Sequence, residues 1–366
     1  MKKSNTTKAL IVGLALLSGI YSCKKNHTGT PLPQFNISQT NLVADAAGYG
    51  AAKIDPALVN AWGIAVNPTG IIWISANHTA SSTVYDKTGA TVRPPVTVGS
   101  VAAGAVGAPT GIVFNGSTDF GGNKFIFSGE DGVITAWASG NNAVRVADRS
   151  AFNAVYKGLA VATDGGASFL YAANFKGGKI DVFDKNFAYV TTKPFADATI
   201  PAGFGPFNIQ NIGGMLYVTY AKLKGPDNED DEAGPGNGYV NVFKPDGTLV
   251  GRFASKGTLN SPWGITHAPA GFAAPFETIL VGNFGDGRIN VFSLQGIYIG
   301  QLQNNGQVIG IEGLWALDFL NPAATNTDPL YFTAGPHDET HGLFGVLKST
   351  ISTTSTSGSM SSSSGY

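Results

Sequence analysis

The chain has 366 residues, a formal net charge of −1, and a composition that is 43% hydrophobic and only 13% charged. Binding to nucleic acid depends on clustered Lys and Arg side chains, and this sequence has no basic stripe, so we expect no nucleic-acid partner. Its 49 glycines and 19 prolines predict many turns, which favours an all-β construction over a helical one.

The first residues have the pattern of an export signal. Three lysines lie in residues 1–8, residues 9–20 are mostly apolar, and Cys23 follows Ser22. The apolar run is too short to span a bilayer. The pattern resembles the lipobox of bacterial lipoproteins, in which the cysteine becomes the lipidated first residue; the alternative is an ordinary secretory signal. We predict a lipoprotein-type signal peptide at residues 1–23, an extracytoplasmic location in the cell envelope, and contact with the membrane only through the lipid.

Both ends of the remaining chain are predicted to lie outside the fold. Residues 24–35 are polar with scattered Gly and Pro and indicate a flexible tether. Residues 350–366 are almost wholly Ser, Thr and Gly, and a segment that buries no apolar surface stays disordered. The folded domain is therefore predicted at residues 36–349. Cys23 is the only cysteine, so no intramolecular disulfide stabilises this domain.

The body of the chain repeats one pattern of short strands. Six similar strand segments begin 47 to 56 residues apart, at Trp62, Thr110, Lys157, Phe207, Trp263 and Trp315. A second and a third apolar strand pattern follow each of them. Units of three to four sequential strands at this period are typical of propeller blades, and a β-helix or paired sandwiches fit the period less well. The sequence predicts a six-bladed β-propeller.

The sixth unit reaches the Ser/Thr-rich tail after its third strand. Residues 39–45 form a spare strand-like segment ahead of the first unit. We predict that this N-terminal strand supplies the missing outer strand of the sixth blade and closes the ring, because closure leaves no exposed inner edge.

Two sets of motifs resemble known families. The segments at residues 63–66, 170–174 and 179–184 resemble NHL-type propeller repeats. The segments at residues 231–238, 282–290 and 332–345 are similar to a family of exported, uncharacterised bacterial proteins, whose members often carry a PEP-CTERM sorting tail. This resemblance covers about residues 39 to 348 and implies an NHL-like propeller fold; it implies little about activity.

In a propeller, the turns that enter the first strands and those between the second and third strands meet around the channel. Large aromatic side chains with a few polar groups at a channel mouth suit a ligand-binding site. The candidate ligand-binding residues are Trp62, Asn77, Asn174, Phe207, Trp263, Asn283 and Trp315. The alternative is structural, with tryptophans wedged between blades and Asn side chains bracing turns.

Two loops suggest metal ligands. Asp230 and Asp231 belong to the acidic run at residues 227–232, and crowded oxygen ligands suit Ca²⁺, although such a run is often only a solvated loop. His337 and His341 flank acids in a second loop but lack the helical spacing of a zinc site. The alternative there is that Asp338 and Glu339 bond backbone amides and hold the loop.

The favoured function is a monomeric binding module for a small molecule, a glycan or a protein. The runner-up is a hydrolase or lactonase that holds a channel metal with Glu130, Asn174 and Asn283. His78 and His267 are candidate acid/base groups if they reach the channel. The sequence has no Gly-x-Ser-x-Gly elbow for a nucleophilic serine. A purely structural envelope protein is the third alternative.

Overall fold

The computed structural model describes residues 34–101, 105–321 and 323–352. All of them belong to one compact unit, Pro33–Tyr366. The predicted signal peptide with Cys23, nearly all of the tether, and residues 353–366 of the tail lie outside the described residues. In the described ranges no helix has the length and apolar character needed to cross a membrane.

The described residues form 27 strands and three short 3-10 turns. The strands are β1 (Gln34–Ala44), β2 (Lys53–Ile54), β3 (Ala61–Val66), β4 (Ile72–Ala76), β5 (Ser81–Tyr85), β6 (Thr91–Val98), β7 (Pro109–Phe114), β8 (Phe125–Gly129), β9 (Val133–Trp137), β10 (Asn142–Asp148), β11 (Tyr156–Asp164), β12 (Ala167–Asn174), β13 (Lys179–Phe183), β14 (Tyr189–Val190), β15 (Phe204–Ile212), β16 (Met215–Lys222), β17 (Gly238–Phe243), β18 (Leu249–Ser255), β19 (Pro262–Ala268), β20 (Thr278–Asn283), β21 (Ile289–Ser293), β22 (Tyr298–Gln301), β23 (Gln303–Asn304), β24 (Gln307–Val308), β25 (Leu314–Asp318), β26 (Leu330–Ala334) and β27 (Leu343–Ser352). The 3-10 turns are Asn77–Thr79, Phe120–Gly122 and Ser150–Phe152.

Most of these strands fall into four-stranded groups that run up and down in chain order. Within the described ranges the groups are β3–β6, β7–β10, β11–β14, β15–β18, β19–β22, and a last group in the order β25, β26, β27, β1. A short parallel pairing of β6 with β10 joins the first two groups into one eight-stranded sheet. The prediction of an all-β chain is confirmed.

The last group contains both ends of the described chain. β1 pairs antiparallel with β27, from Gln34 opposite Ser352 to Ala44 opposite Leu343. β2 adds a short parallel pairing to the outer side of β1. The segment predicted as a spare strand therefore lies beside the final strand.

Burial follows position within each group. Every residue of β4 and of β5 is buried, whereas most residues of the outer strand β6 are exposed or half-buried. Strands covered on both faces are expected to be continuously apolar, and strands covered on one face to alternate. β4 mostly fits this expectation, whereas β5 buries the polar residues Ser81, Ser82 and Thr83.

The first strands of the groups approach one another closely. A Cβ added at Gly111 would lie 2.5 Å from the backbone nitrogen of Leu159, and one at Gly264 would lie 2.5 Å from the carbonyl oxygen of Trp315. Glycine permits this approach of backbones. Residues of β3, β7, β11, β15, β19 and β25 together line one cavity of about 30 Å³, which is enough space for an ordered water.

Candidate functional site

The four predicted aromatic residues come together on one face of the molecule. We call it the channel face; it consists of the starts of the first strands and the turns between second and third strands. Trp62 stacks on Trp315 with ring centroids 3.4 Å apart, and Trp263 meets both rings edge-on. The ring centroids of Phe207 and Trp315 are 5.9 Å apart, in an edge-on arrangement. These four side chains are 1–3% exposed, so they form the packed floor of the face.

One aromatic ring reaches further toward the surface. Phe284, in the turn after β20, is half-buried and stacks on Trp315 with centroids 3.9 Å apart. It lines a cleft of about 470 Å³. The cleft is also lined by carboxylates and by small residues: Ala233, Gly285, Asp286, Gly310, Glu312, Gly313, Gly335 and Asp338. The lining includes no Lys, Arg or His among the described residues, so its charge is negative.

A buried lysine lies beside the tryptophans. Lys157, near the start of β11, is 2% exposed, and its ammonium forms an ion pair with Glu130. The Nζ atom is also 3.7 Å from an Asp230 oxygen and 5.2 Å from the Trp62 ring centroid. Burial alone would lower the pKa of Lys157, but the charge and hydrogen bond of Glu130 raise it. The ammonium therefore stays charged.

Glu130 is held in place from two sides. It follows β8, and its second oxygen accepts a hydrogen bond from Asn77 Nδ2 at 2.9 Å. Burial opposes ionisation of this carboxyl, yet Lys157 outweighs that cost and holds the pKa of Glu130 below its ordinary value. The charge of this predicted metal ligand is thus already balanced by an ammonium.

The other predicted metal ligands have separate partners. His337 Nδ1 lies 2.8 Å from the Tyr49 hydroxyl, and His341 Nδ1 lies 2.9 Å from an Asp45 carboxylate oxygen. Asp230 is exposed near Lys157, whereas Asp231 is half-buried, and burial raises its pKa. In the part of the chain that the structure describes, no group of three His, Cys, Asp or Glu side chains is arranged to hold a metal ion.

Asn60 joins the aromatic floor to a second acid. Its Oδ1 accepts a hydrogen bond from Trp315 Nε1 at 3.1 Å, and its Nδ2 donates to Glu339 Oε2 at 2.6 Å. His78 Nε2 lies 3.4 Å from the same Nδ2 atom. Asn60 has a φ of 50°, in the left-handed region that Asn tolerates better than most residues. Glu339 was expected to bond backbone amides; instead its carboxylate meets this side-chain amide.

Glu339 has a strongly altered acidity. Burial raises its pKa to about 7, although the hydrogen bond from Asn60 acts in the opposite direction. The negative charge of Glu130 adds to the increase. A carboxyl group with this pKa gains and loses a proton near neutral pH, which is the property of a general acid or base.

Asn174 and Asn283 brace turns. Asn174 Oδ1 accepts from the backbone of Gly177 at 3.0 Å and its Nδ2 donates to Asp181 at 3.0 Å. Asn283 Nδ2 donates to the Thr258 carbonyl at 2.8 Å and to Asp286 at 3.0 Å. Both amides are buried, at 2% and 0% exposure. Among the described residues, no hydrogen bond links either of them to Glu130. The three residues predicted to hold a channel metal in a lactonase are therefore not connected to one another by hydrogen bonds.

His267 lies away from this face. It is near the end of β19, whereas Trp263 is near the start, and its Nε2 atom is 3.6 Å from a Glu277 oxygen. Of the two histidines named as acid/base candidates, only His78 therefore contacts the network around Asn60.

Lys157, Asn60 and Phe284 also belong to this face, although none of them was a predicted site residue. Lys157 could have been recognised in the sequence. It is one of the six residues that begin the repeated strand segments, and it is the charged one, whereas the other five are aromatic residues or Thr. Asn60 had no such signal, since its partners Trp315 and Glu339 are 255 and 279 residues away.

The chain is similar to proteins of known sequence and of known structure. An uncharacterised protein of Acanthamoeba polyphaga mimivirus is 36% identical over 315 residues, covering 81% of this chain and 76% of the viral protein. A second uncharacterised protein of the same virus is 36% identical over 318 residues, covering 81% and 82%. No protein-family model matches the chain.

A catalytically inactive virginiamycin B lyase from Staphylococcus aureus, solved with quinupristin, superposes with a TM-score of 0.52 at 13% identity, covering 86% of this chain and 99% of the lyase. At that identity the likeness concerns the fold alone. The fold is all-β and propeller-like.

Proposed function

The chain belongs to the same family as the two mimivirus proteins, and from that premise we propose that it is a six-bladed, NHL-like propeller whose channel face binds a glycan-like molecule. The blade count rests on the six four-stranded groups of the described residues. Closure of the ring by the N-terminal strand rests on the pairing of β1 with β27.

The cleft beside Phe284 carries the ligand assignment. Its volume of about 470 Å³ lies within the range of small-molecule sites. Its lining combines one aromatic ring with the carboxylates of Asp286, Glu312 and Asp338. A sugar presents C–H faces that pack on a ring and hydroxyl groups that donate to carboxylates. An anionic ligand is disfavoured because the lining has no basic residue within the described ranges.

A glycan array probed with the full-length chain tests this proposal. We expect selective binding to a small set of neutral glycans, and a loss of affinity of about tenfold or more on Phe284→Ala, as for a central aromatic contact. Phe152→Ala is the matched control, since Phe152 is 66% exposed and lies outside the cleft. The proposal is wrong if no glycan binds, or if Phe284→Ala and Asp338→Asn both leave binding unchanged.

The acidity of Glu339 favours a second candidate, an acid–base enzyme at the same face. Glu339 would transfer the proton, while the Lys157–Glu130 pair and Asn60 keep its surroundings fixed. In a panel of lactones and esters, we expect an activity whose pH profile has a transition near 7. Glu339→Gln should lower kcat by about 10²- to 10⁴-fold, and His267→Gln should not. Absence of turnover across the panel would remove this candidate.

The metal-dependent form of that enzyme makes a separate prediction. Full-length protein would contain one ion per chain by elemental analysis, and Glu130→Ala would lose it. If the purified protein contains no metal but is active, the metal-dependent enzyme is excluded and the metal-independent enzyme is supported. If the protein contains no metal and is inactive, both enzymatic proposals are contradicted.

We also propose that Cys23 carries a lipid anchor in the cell envelope. The support is the basic start, the short apolar run and the Ser-Cys step in the sequence. Expression of the full chain in a bacterial host with an alkyne fatty acid should label the protein. Cys23→Ser should abolish the label and Ser22→Ala should retain it; equal labelling of the Cys23→Ser variant would contradict the anchor.

A further inference from the structure

A second pocket opens at the end of the first strands opposite to the tryptophans. Its volume is about 490 Å³, larger than that of the cleft beside Phe284. Residues at or just beyond the ends of β3, β15, β19 and β25 line it. Trp62, Trp263 and Trp315 lie near the starts of three of these strands. The pocket is therefore separated from the channel face by the length of a strand.

Asp318 is the charged group of this pocket. One of its carboxylate oxygens accepts a hydrogen bond from the Leu320 backbone at 2.6 Å. The other oxygen has no hydrogen bond among the described residues. Asp318 lines both this pocket and the small central cavity between the first strands. Its carboxylate is thus open to the space where a ligand would lie.

Among the described residues, the charge of Asp318 has no cationic partner. Burial raises its pKa to about 6, so the carboxyl is still mostly ionised at neutral pH. The described lining contains no Lys or Arg, and Gln210, Asn211, Thr266 and Asn321 are its uncharged polar members. His267 is the other titratable residue of the lining, and it already faces Glu277 at 3.6 Å. A partly buried charge without a partner is costly to the folded state.

The remaining walls of the pocket are apolar. They include Val66, Ile212, Pro269, Phe319 and Leu320. A pocket with mostly apolar walls and one ionised group fixes both the body and the head of a ligand. The charge selects a cation, and the apolar walls favour an organic cation over a metal ion, because they pack against a carbon skeleton.

We propose that this pocket binds an organic amine, with its ammonium group against Asp318 and its apolar body against Val66, Ile212 and Phe319. The ammonium supplies a charge partner that the described residues do not provide, and the body removes apolar surface from water. This site is independent of the glycan-like ligand proposed for the channel face, since the two pockets share no residue.

Calorimetric titration of the full-length chain with phenethylamine and with 2-phenylethanol tests the proposal. The two probes have nearly the same shape and differ in the charge of the head group. We expect saturable binding of phenethylamine, with an affinity at least about tenfold above that of the alcohol. Asp318→Asn should reduce amine affinity by a similar factor, while Asp246→Asn, at an exposed position outside both pockets, should leave it unchanged.

A second variant tests the pocket by filling it with a larger side chain. Val66→Trp places a large ring in the pocket and should block the amine even if Asp318→Asn does not fold. Thermal melts establish that each variant tested is folded. The proposal is overturned if phenethylamine shows no saturable binding at low millimolar concentration, if the alcohol binds equally well, or if neither variant weakens binding.

The pH dependence gives an additional readout. Amine binding should weaken as pH falls through about 6, where Asp318 becomes protonated. His267 also lines the pocket, so the titration is repeated in His267→Gln. Retention of the transition in that variant supports Asp318 as the anchor, and its disappearance contradicts it.

Discussion

The two ends of the first strands carry buried charge in opposite ways. On the channel face, Lys157 and Glu130 neutralise each other, and Asn77 completes the hydrogen bonds of the carboxylate. At the other end, Asp318 has one backbone hydrogen bond and, within the described ranges, no cation beside it. A compensated charge stabilises the fold without any ligand, whereas an uncompensated charge indicates a group that comes from outside. Whether a buried charge has an oppositely charged neighbour in the protein thus distinguishes a structural network from a candidate recognition site.

The largest expected effect tests the compensated end. Lys157→Met leaves Glu130 without its partner in a mostly dry setting, so we expect a loss of about 3–5 kcal/mol in the free energy of unfolding. Adding Glu130→Gln should restore a large part of that loss. Urea denaturation of the single and double variants measures both quantities.

A surface ion pair provides the control for that experiment. Lys222 bonds Glu232 at 2.7 Å, but their side chains are 39% and 49% exposed. Lys222→Met should therefore cost less than about 1 kcal/mol. Equal losses for Lys157→Met and Lys222→Met would remove the contrast between a buried and a solvated pair.

A smaller effect is expected where Asn60 connects Trp315 to Glu339. A Cβ at Gly335 would collide with Asn60 Oδ1 and lie 3.1 Å from Trp315 Nε1. We expect Gly335→Ala to destabilise by about 1–3 kcal/mol, the usual cost of overpacking. Gly300→Ala is the control, because nothing lies within 4 Å of an added Cβ there. Chemical denaturation should show the loss for Gly335→Ala alone.

Glu339 predicts a pH dependence of stability. Its pKa in the folded state is raised to about 7, so the folded state binds more protons than the unfolded state between the two pKa values. Stability contributed by this group is therefore present at low pH and lost as pH rises toward 7. Glu339→Gln should reduce the change in the free energy of unfolding with pH by on the order of 1 kcal/mol. Denaturation of both proteins at about pH 5 and about pH 8 measures the difference; parallel curves would contradict it.

The smallest effect concerns the uncompensated end. Asp318→Asn keeps an oxygen for the Leu320 amide and removes the unpaired charge. We expect the ligand-free variant to be more stable than the parent at neutral pH, by less than about 1 kcal/mol. Thermal melts should also show that phenethylamine raises the Tm of the parent and not that of the variant. Destabilisation by Asp318→Asn would indicate that the charge has a protein partner.

The sequence predicted the strands better than the site because strand patterns are local. The inner strands contain most of the buried apolar residues, so their patterns stand out; in β9, four of five residues are buried. The convergence of Trp62, Trp263 and Trp315 followed from their equivalent places in the repeat.

Partners outside that repeat were not predictable in the same way. Asn60 contacts Glu339 across 279 residues, and no spacing rule relates them. Asp318 ends a strand whose other residues are buried, so its position gave no indication that the carboxylate opens into a pocket. Asn174 and Asn283 illustrate a different limit, since turn-bracing amides and ligand-binding amides have the same residue type and the same location in the repeat.

The pairing of β1 with β27 has a consequence for how the chain completes its fold. Their partners are as far apart in sequence as Gln34 and Ser352, so this sheet forms only after the last strand has been synthesised. The entropic cost of closing so long a loop grows only logarithmically, but contacts of this range slow folding. The same adjacency makes the molecule a candidate for circular permutation. A short linker from β27 to β1, with new termini in the β18–β19 connection, keeps every described strand pairing intact. Because β18 and β19 belong to different sheets, no described sheet would then have to pair the two ends of the chain.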